Sequence, residues 1–291
     1  MFCMTSLSIL GVGRIGGKIA FLASYLGLVD ELVLHDANTR LLRAQEQDLL
    51  HGMVDLDIST DPEAIRDTDL CIFTAGIPRN PNVKSRVDLL AANMQVARDC
   101  SPYLQGFGGV LLTVVNPSDV LNYYLSLRGG LDPERCIGFG GQLDSARFAL
   151  EMNSMGIEGE RWVLGEHGDH QVPLFSKLHS TVPEEEREAI LSRLRGSSME
   201  IIQGKGGTRF GPAAHLLNLI ESIIDDTAAV LPVSAILKGE YGITGCSIGV
   251  PAQVGWAGIL KVEEWPLDDW EQAHLQEAAR TLHDLCSKLD V

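Results

Sequence analysis

Leu7-Ser8-Ile9-Leu10-Gly11-Val12-Gly13-Arg14-Ile15-Gly16 is an aliphatic run that ends in a Gly-x-Gly-x-x-Gly turn. The run reads as a strand over 7–10, and the turn opens a helix over 16–26. The first glycine permits a tight turn, the second lets backbone approach a pyrophosphate, and the third lets helix pack on strand. The helix N-terminus adds N–H groups and partial positive charge. A glycine pattern alone is a weak signal. Here Asp36 follows Gly16 by 20 residues, at the end of a second strand over 32–35. A carboxylate there accepts hydrogen bonds from adenosine ribose hydroxyls and repels a 2′-phosphate. This predicts a dinucleotide site built from Gly11, Gly13, Arg14, Ile15, Gly16 and Asp36, with NAD preferred over NADP. Arg40, close behind Asp36, suits a phosphate, so tolerance of NADP stays open.

Outward from that turn the first half keeps alternating. A helix is expected over 41–53, with Leu41, Ala44, Leu49 and Met53 near one face. A strand follows over 70–74, then a helix over 85–101 and a strand over 109–115. Pro117 opens another helix at its first position, and a strand closes the half over 136–140. Such alternation builds a parallel sheet with right-handed crossovers. The second half differs. Helices are expected over 142–153, from Pro183, over 212–226 and over 267–288. Short strands lie over 162–164 and 172–175, and antiparallel strands over 230–237 and 247–256. The fold class is α/β, with an N-terminal doubly wound parallel sheet of Rossmann type (1–140) and a C-terminal α+β substrate domain (141–291). The boundary falls at Gly140-Gly141.

Composition narrows the function classes. Hydrophobic residues make up 45% of the 291 and charged residues 21%, enough apolar material to offset chain entropy. The net charge of −16 excludes a nucleic-acid partner, which needs a surplus of Lys and Arg, and disfavours an anionic membrane surface. No apolar run approaches the roughly 18 residues of a membrane span. The N-terminus lacks a basic region and a cleavage site. The six cysteines include no Cys-x-x-Cys pair and sit mostly in apolar runs. They read as buried thiols of a cytoplasmic protein, and no metal site is expected.

Four more segments matter: Ala75-Gly76-Ile77-Pro78-Arg79-Asn80-Pro81, Val115-Asn116-Pro117, Leu143-Asp144-Ser145-Ala146-Arg147-Phe148 and Gly165-Glu166-His167-Gly168-Asp169. With the glycine turn, and with Ile248-Gly249-Val250-Pro251 near the end, they stand in the order found in the lactate/malate dehydrogenase family. The chain resembles that family over nearly its whole length, and is most similar to the malate dehydrogenases with a lactate-dehydrogenase-like framework.

The resemblance implies an enzyme that transfers hydride between NADH and a 2-oxo acid. His167 is the acid/base candidate, because imidazole titrates near neutral pH. By resemblance Asp144 orients its ring, and Arg147 holds the substrate's C1 carboxylate in a two-pronged pair. The family's mobile loop supplies an arginine that polarises the carbonyl, assigned to Arg86, and a specificity residue, assigned to Arg79. Malate-specific members carry Arg at that position, whereas similar lactate-specific members commonly carry Gln. A guanidinium there suits a second carboxylate, so oxaloacetate/malate is expected. The segment Pro81-Asn82-Val83-Lys84-Ser85 is one residue longer than the family pattern and lacks its glycine, which leaves Lys84 as a rival to Arg86. Asn116 and Thr208 are expected at the substrate. Thr74, Ala75, Gly76, Asn93, Val115 and Asn116 are expected at the cofactor. The strong acidity does not oppose a dianion, since charges beyond about 8 Å are screened. A homodimer or homotetramer is implied, with residues 45–53 as an interface helix. Two rivals stand: another 2-hydroxy-acid dehydrogenase, lactate foremost, and a non-catalytic NAD-binding protein. His170 departs from the family's small hydroxyl residue. A metal reading of Glu166, His167, Asp169 and His170 lacks any supporting ligand motif.

Overall fold

The computed structural model describes residues 4–77 and 86–290. The first half runs β1 (Ser6–Leu10), α1 (Gly16–Tyr25), β2 (Glu31–His35), α2 (Thr39–His51), β3 (Asp57–Ser59), β4 (Leu70–Phe73), α3 (Arg86–Cys100), β5 (Val110–Thr113), α4 (Ser118–Gly129) and β6 (Cys136–Gly138). The second half runs α5 (Gly141–Ser154), β7 (Val163–Gly165), β8 (Gln171–Pro173), α6 (Glu184–Gly196), α7 (Met199–Lys205), α8 (Phe210–Ile224), β9 (Ala229–Lys238), β10 (Thr244–Gly255), β11 (Gly258–Val262) and α9 (Asp269–Cys286).

Strands β1, β4 and β5 are buried along their whole length, as parallel strands covered on both faces must be. The order β3-β2-β1-β4-β5-β6 is parallel throughout, with Leu7 opposite Leu32 on one side and Leu70 on the other. Chain direction across the sheet reverses between β1 and β4, so a crevice opens beyond their C-terminal ends. The glycine turn and the loops after β4 and β5 meet there. The sheet does not stop at the end of the first half. Gly138 of β6 pairs with Ser234 of β9, and β9-β10-β7-β8 continue antiparallel with β11 beside β10. The smaller second-half core stacks Phe148 of α5 edge-on against Phe175, their centroids 5.4 Å apart. Asp268 and Glu271 close a reciprocal capping box on α9.

Every strand and helix expected from the sequence forms, with shifted ends, and among the described residues two strands and one α-helix go beyond the expectation. Strands β3 and β11 lie at sheet margins, and α7 is a short helix with no buried residue. Two details are corrected. The buried positions of α2 are Leu42 and Leu49, one heptad apart, whereas Ala44 is exposed and Met53 lies past the helix end, 89% exposed. Pro117 is the N-cap residue of α4 and not its first helical residue, and the Asn116-Pro117 peptide is cis.

Candidate active site

The glycine turn is shaped by close approach. A Cβ on Gly11, whose φ is +95°, would strike the backbone of Ala75, and one on Gly16 would strike the carbonyl of Gly11. Thr74 Oγ1 donates to that same carbonyl at 2.5 Å, and Gln45 Nε2 of α2 donates to Val12 O at 2.9 Å. The turn is thus clamped between the loop after β4 and the second helix. Gly13 is the exception, because its Cβ position meets nothing within 4 Å. It faces a cavity of about 520 Å³. No side chain caps the N-terminus of α1, which leaves its first N–H groups to an anion. At the end of β2, half-buried Asp36 accepts the Val12 N–H (3.0 Å) and the Asn38 N–H (2.8 Å), and each oxygen retains a lone pair for a hydroxyl donor. Open space at Gly13, an uncapped helix end and a fixed carboxylate fit a dinucleotide.

The same cavity is lined by Arg14, Ile15, Thr74, Gly76, Asn93, Val115, Asn116, Arg147, His167 and Thr208. Gly11, Gly16, Ala75, Asp36 and Asp144 are not in its lining. Asn93 is almost fully buried and its amide is engaged with backbone: Oδ1 accepts the Ile77 N–H at 2.7 Å, and Nδ2 donates to Asn116 O at 2.7 Å. It braces the two loops that flank the cavity. The Asn116 amide has no hydrogen-bond partner among the described residues and remains available to a ligand. Arg14 reaches across to the second half, where its Nη1 donates to Gly206 O at 2.6 Å.

His167 lies between β7 and β8. Its Nδ1 sits 2.6 Å from Asp144 Oδ2, and Asp144 Oδ1 accepts from Arg147 Nη1 at 3.0 Å. Asp144 opens α5 and Arg147 stands three residues on, so one helix face carries both. Only acceptors face Nδ1, which therefore carries its proton, and Nε2 is left to the cavity. Burial disfavours the charged ring. The charge and hydrogen bond of Asp144 and the charge of Asp119 outweigh burial and the opposing Arg147, so the His167 pKa is raised above the usual 6.5. Asp144 is 2% exposed and the His167 side chain 14%, so the imidazolium meets its carboxylate away from screening solvent.

Two contributors escaped the sequence reading. Gly140 touches the ring: a Cβ there would lie 2.6 Å from His167 Cβ and 2.7 Å from Nδ1. The Gly140-Gly141 pair was the signal, read as a boundary. Asp119 drew no functional reading from the sequence. Neither it nor Ser118 caps α4, and its Oδ2 accepts the His167 backbone N–H at 2.9 Å. Arg209 turns away to the Lys205 carbonyl at 2.9 Å, capping the preceding helix. Arg79 and Lys84 lie outside the described residues, and the side chain of Arg86, which opens α3, lies outside them too. Among the described residues no group of three or more His, Cys, Asp or Glu is arranged to hold a metal ion. His170 donates its N–H to Glu166 Oε2 at 3.1 Å.

Two family models cover the chain. That for the lactate/malate dehydrogenase NAD binding domain matches residues 5–138, and that for the alpha/beta C-terminal domain matches residues 142–289. A malate dehydrogenase of Natronomonas pharaonis is 37% identical, covering 98% of this chain and 100% of the relative. An L-lactate dehydrogenase of Geobacillus sp. is 32% identical, covering 98% and 97%. Among solved structures, malate dehydrogenase from Archaeoglobus fulgidus in complex with NADH superposes with a TM-score of 0.88 at 30% identity, covering 99% of this chain and 100% of that one. The chain belongs to the lactate/malate dehydrogenase family.

Proposed function

We propose that the chain is an NAD-dependent malate dehydrogenase, which moves a hydride reversibly between NADH and oxaloacetate and gives (S)-malate. The observation that carries this reading is one cavity walled by the glycine turn and by the His167–Asp144–Arg147 array. The likeness to the Natronomonas pharaonis malate dehydrogenase supports the substrate. When bound, the nicotinamide supplies or accepts the hydride at the carbon bearing the substrate oxygen. The chain's own groups handle the proton and the charges. His167 gives a proton from Nε2 to the developing alkoxide and takes it back in the reverse direction. Asp144 holds the ring in that orientation and favours its charged form. Arg147, already anchored to Asp144, turns its remaining donors to the C1 carboxylate. Asn116 hydrogen-bonds the substrate oxygen, and Thr208 lines the far wall.

Arg86 is assigned the polarising contact and Arg79 the second carboxylate. Pyruvate has no group for Arg79, and a desolvated guanidinium left unpaired costs on the order of several kcal/mol. The division into a nucleotide domain (1–140) and a substrate domain (141–291) is supported by the two family models, which end and begin at residues 138 and 142. A cytoplasmic homodimer or homotetramer is part of the proposal. Exposed Phe21, Tyr25 and Leu50 on the first two helices, with Met53 just past the second, favour a covered face. Five free cysteines among the described residues suit a reducing compartment. Steady-state assays with NADH decide the substrate. The kcat/KM for oxaloacetate should exceed that for pyruvate by about a hundredfold or more; a larger value for pyruvate overturns the assignment.

A further inference from the structure

Asp119 is a buried acid to which the proposed chemistry gives no part. It is 1% exposed in the first turn of α4, two residues after the cis Asn116-Pro117 peptide. Its Oδ2 accepts the His167 backbone N–H at 2.9 Å. Its Oδ1 is buried with no hydrogen-bond partner among the described residues. The neighbouring Ser234 hydroxyl is engaged with Ser247 at 2.8 Å, and Ser247 accepts from Asn122 Nδ2 at 3.0 Å.

A backbone N–H needs only an acceptor, and a neutral Ser or Asn would serve. Burying a carboxylate with one oxygen unsatisfied costs more than a single hydrogen bond returns to folding. The charge is therefore placed for a nearby cation, and the ring of His167 is that cation when protonated. We propose that Asp119 is a positioning residue for His167: it ties the main chain of the histidine loop to α4 and sets a second negative charge behind the imidazole. The same turn of helix follows Asn116 directly, so two cavity-facing groups share one anchor.

The surrounding charges agree with this role. From α5, Asp144 and Arg147 face His167. From its own loop come Glu166, Asp169 and His170, and Arg195 of α6 lines the same cavity. Cys246 of β10 and Cys286 of α9 lie near Asp119, but burial pushes both thiols up, Cys246 to about 12, and keeps them neutral. Asp144 and Asp119 raise the His167 pKa, and burial and Arg147 lower it. Burial in turn raises the pKa of Asp119. The nearby Ser234 hydroxyl, whose hydrogen bond is with Ser247, and the charge and N–H of His167 pull it down, and Asp144 adds to the rise.

The inference rests on His167 being the proton donor, and the experiment separates the two. Asp119→Asn keeps an oxygen acceptor and removes the charge; Asp119→Ala removes both. The readouts are the pH dependence of kcat for NADH-linked oxaloacetate reduction and the Kd for NADH by fluorescence. Reduction needs the charged ring, so its rate falls as pH rises through the His167 pKa. Both variants should move that alkaline limb to lower pH by about half a unit or more. Asp119→Ala should also lower the plateau kcat about tenfold through a loosened ring, with NADH binding unchanged in both. If one variant does not fold, the other still reads the limb. A limb that stays within about 0.2 unit of the parent, while His167→Asn abolishes turnover, overturns the role of Asp119 alone. Full turnover in His167→Asn would instead remove the reading of His167 itself.

Discussion

Substituting Gly140 by alanine should disable the site without replacing any residue that bears a charge. The need for glycine at position 140 is one of space. The added methyl would lie 2.7 Å from His167 Nδ1 and nearer still to Cγ. Ordinary carbon contacts are about 3.5 Å, so at Cγ, the nearest atom, the ring must retreat by about 1 Å. The Nδ1–Asp144 contact is 2.6 Å, and a shift of that size away from Gly140 stretches or misaligns it. A charge-assisted hydrogen bond is worth about 1.5–3 kcal/mol, and a misplacement near 1 Å costs on the order of a hundredfold in rate. The kcat of Gly140→Ala for oxaloacetate reduction should therefore fall about 30- to 100-fold. NADH fluorescence titration should give an unchanged Kd, because the atoms nearest the added methyl are all of His167 and none is of the glycine turn. A variant that keeps kcat within about twofold of the parent would refute the argument that the ring is held by contact with Gly140.

Arg79→Gln should lower kcat/KM for oxaloacetate by about two orders of magnitude or more and leave pyruvate within a few-fold, measured side by side with NADH; equal losses would remove the specificity argument. Although burial favours the neutral ring, the two carboxylates raise the His167 pKa. Reduction should thus hold its rate past the usual 6.5 and then decline as the ring loses its proton, whereas malate oxidation should rise over the same interval, as pH profiles in both directions will reveal. Burial pushes the Cys71 and Cys136 thiols up to about 12. Iodoacetamide mapping by mass spectrometry should find Cys71, Cys136, Cys246 and Cys286 unlabelled in the native protein and labelled after denaturation.

What the sequence disclosed was mostly local. The strand, the glycine turn and Asp36 fall within one short stretch, and each has its own steric or electrostatic reason. Asp144 and Arg147 stand a helical turn apart, so their pairing could be read directly. The contact between Asp144 and His167 spans 23 residues and came only through resemblance. The tether from Asp119 to His167 spans 48 residues and could be found only once α4 and the histidine loop were packed together. The contact of Gly140 with the ring went unread for a similar reason, since a boundary glycine and a contact glycine look alike until the ring is placed. Strand β3 is three residues long and polar, and α7 buries nothing, so neither left a periodic trace. Continuity of the sheet through Gly138 and Ser234 is a tertiary fact without a local signal.

The central claim is that the cavity gathers cations to match a diacid. A crystal structure with NADH and tartronate tests it most directly. The account predicts one carboxylate on Arg147, the other on Arg79, and the hydroxyl within about 3 Å of His167 Nε2. A complex in which the second carboxylate meets no guanidinium, or in which the hydroxyl lies away from His167, would contradict it.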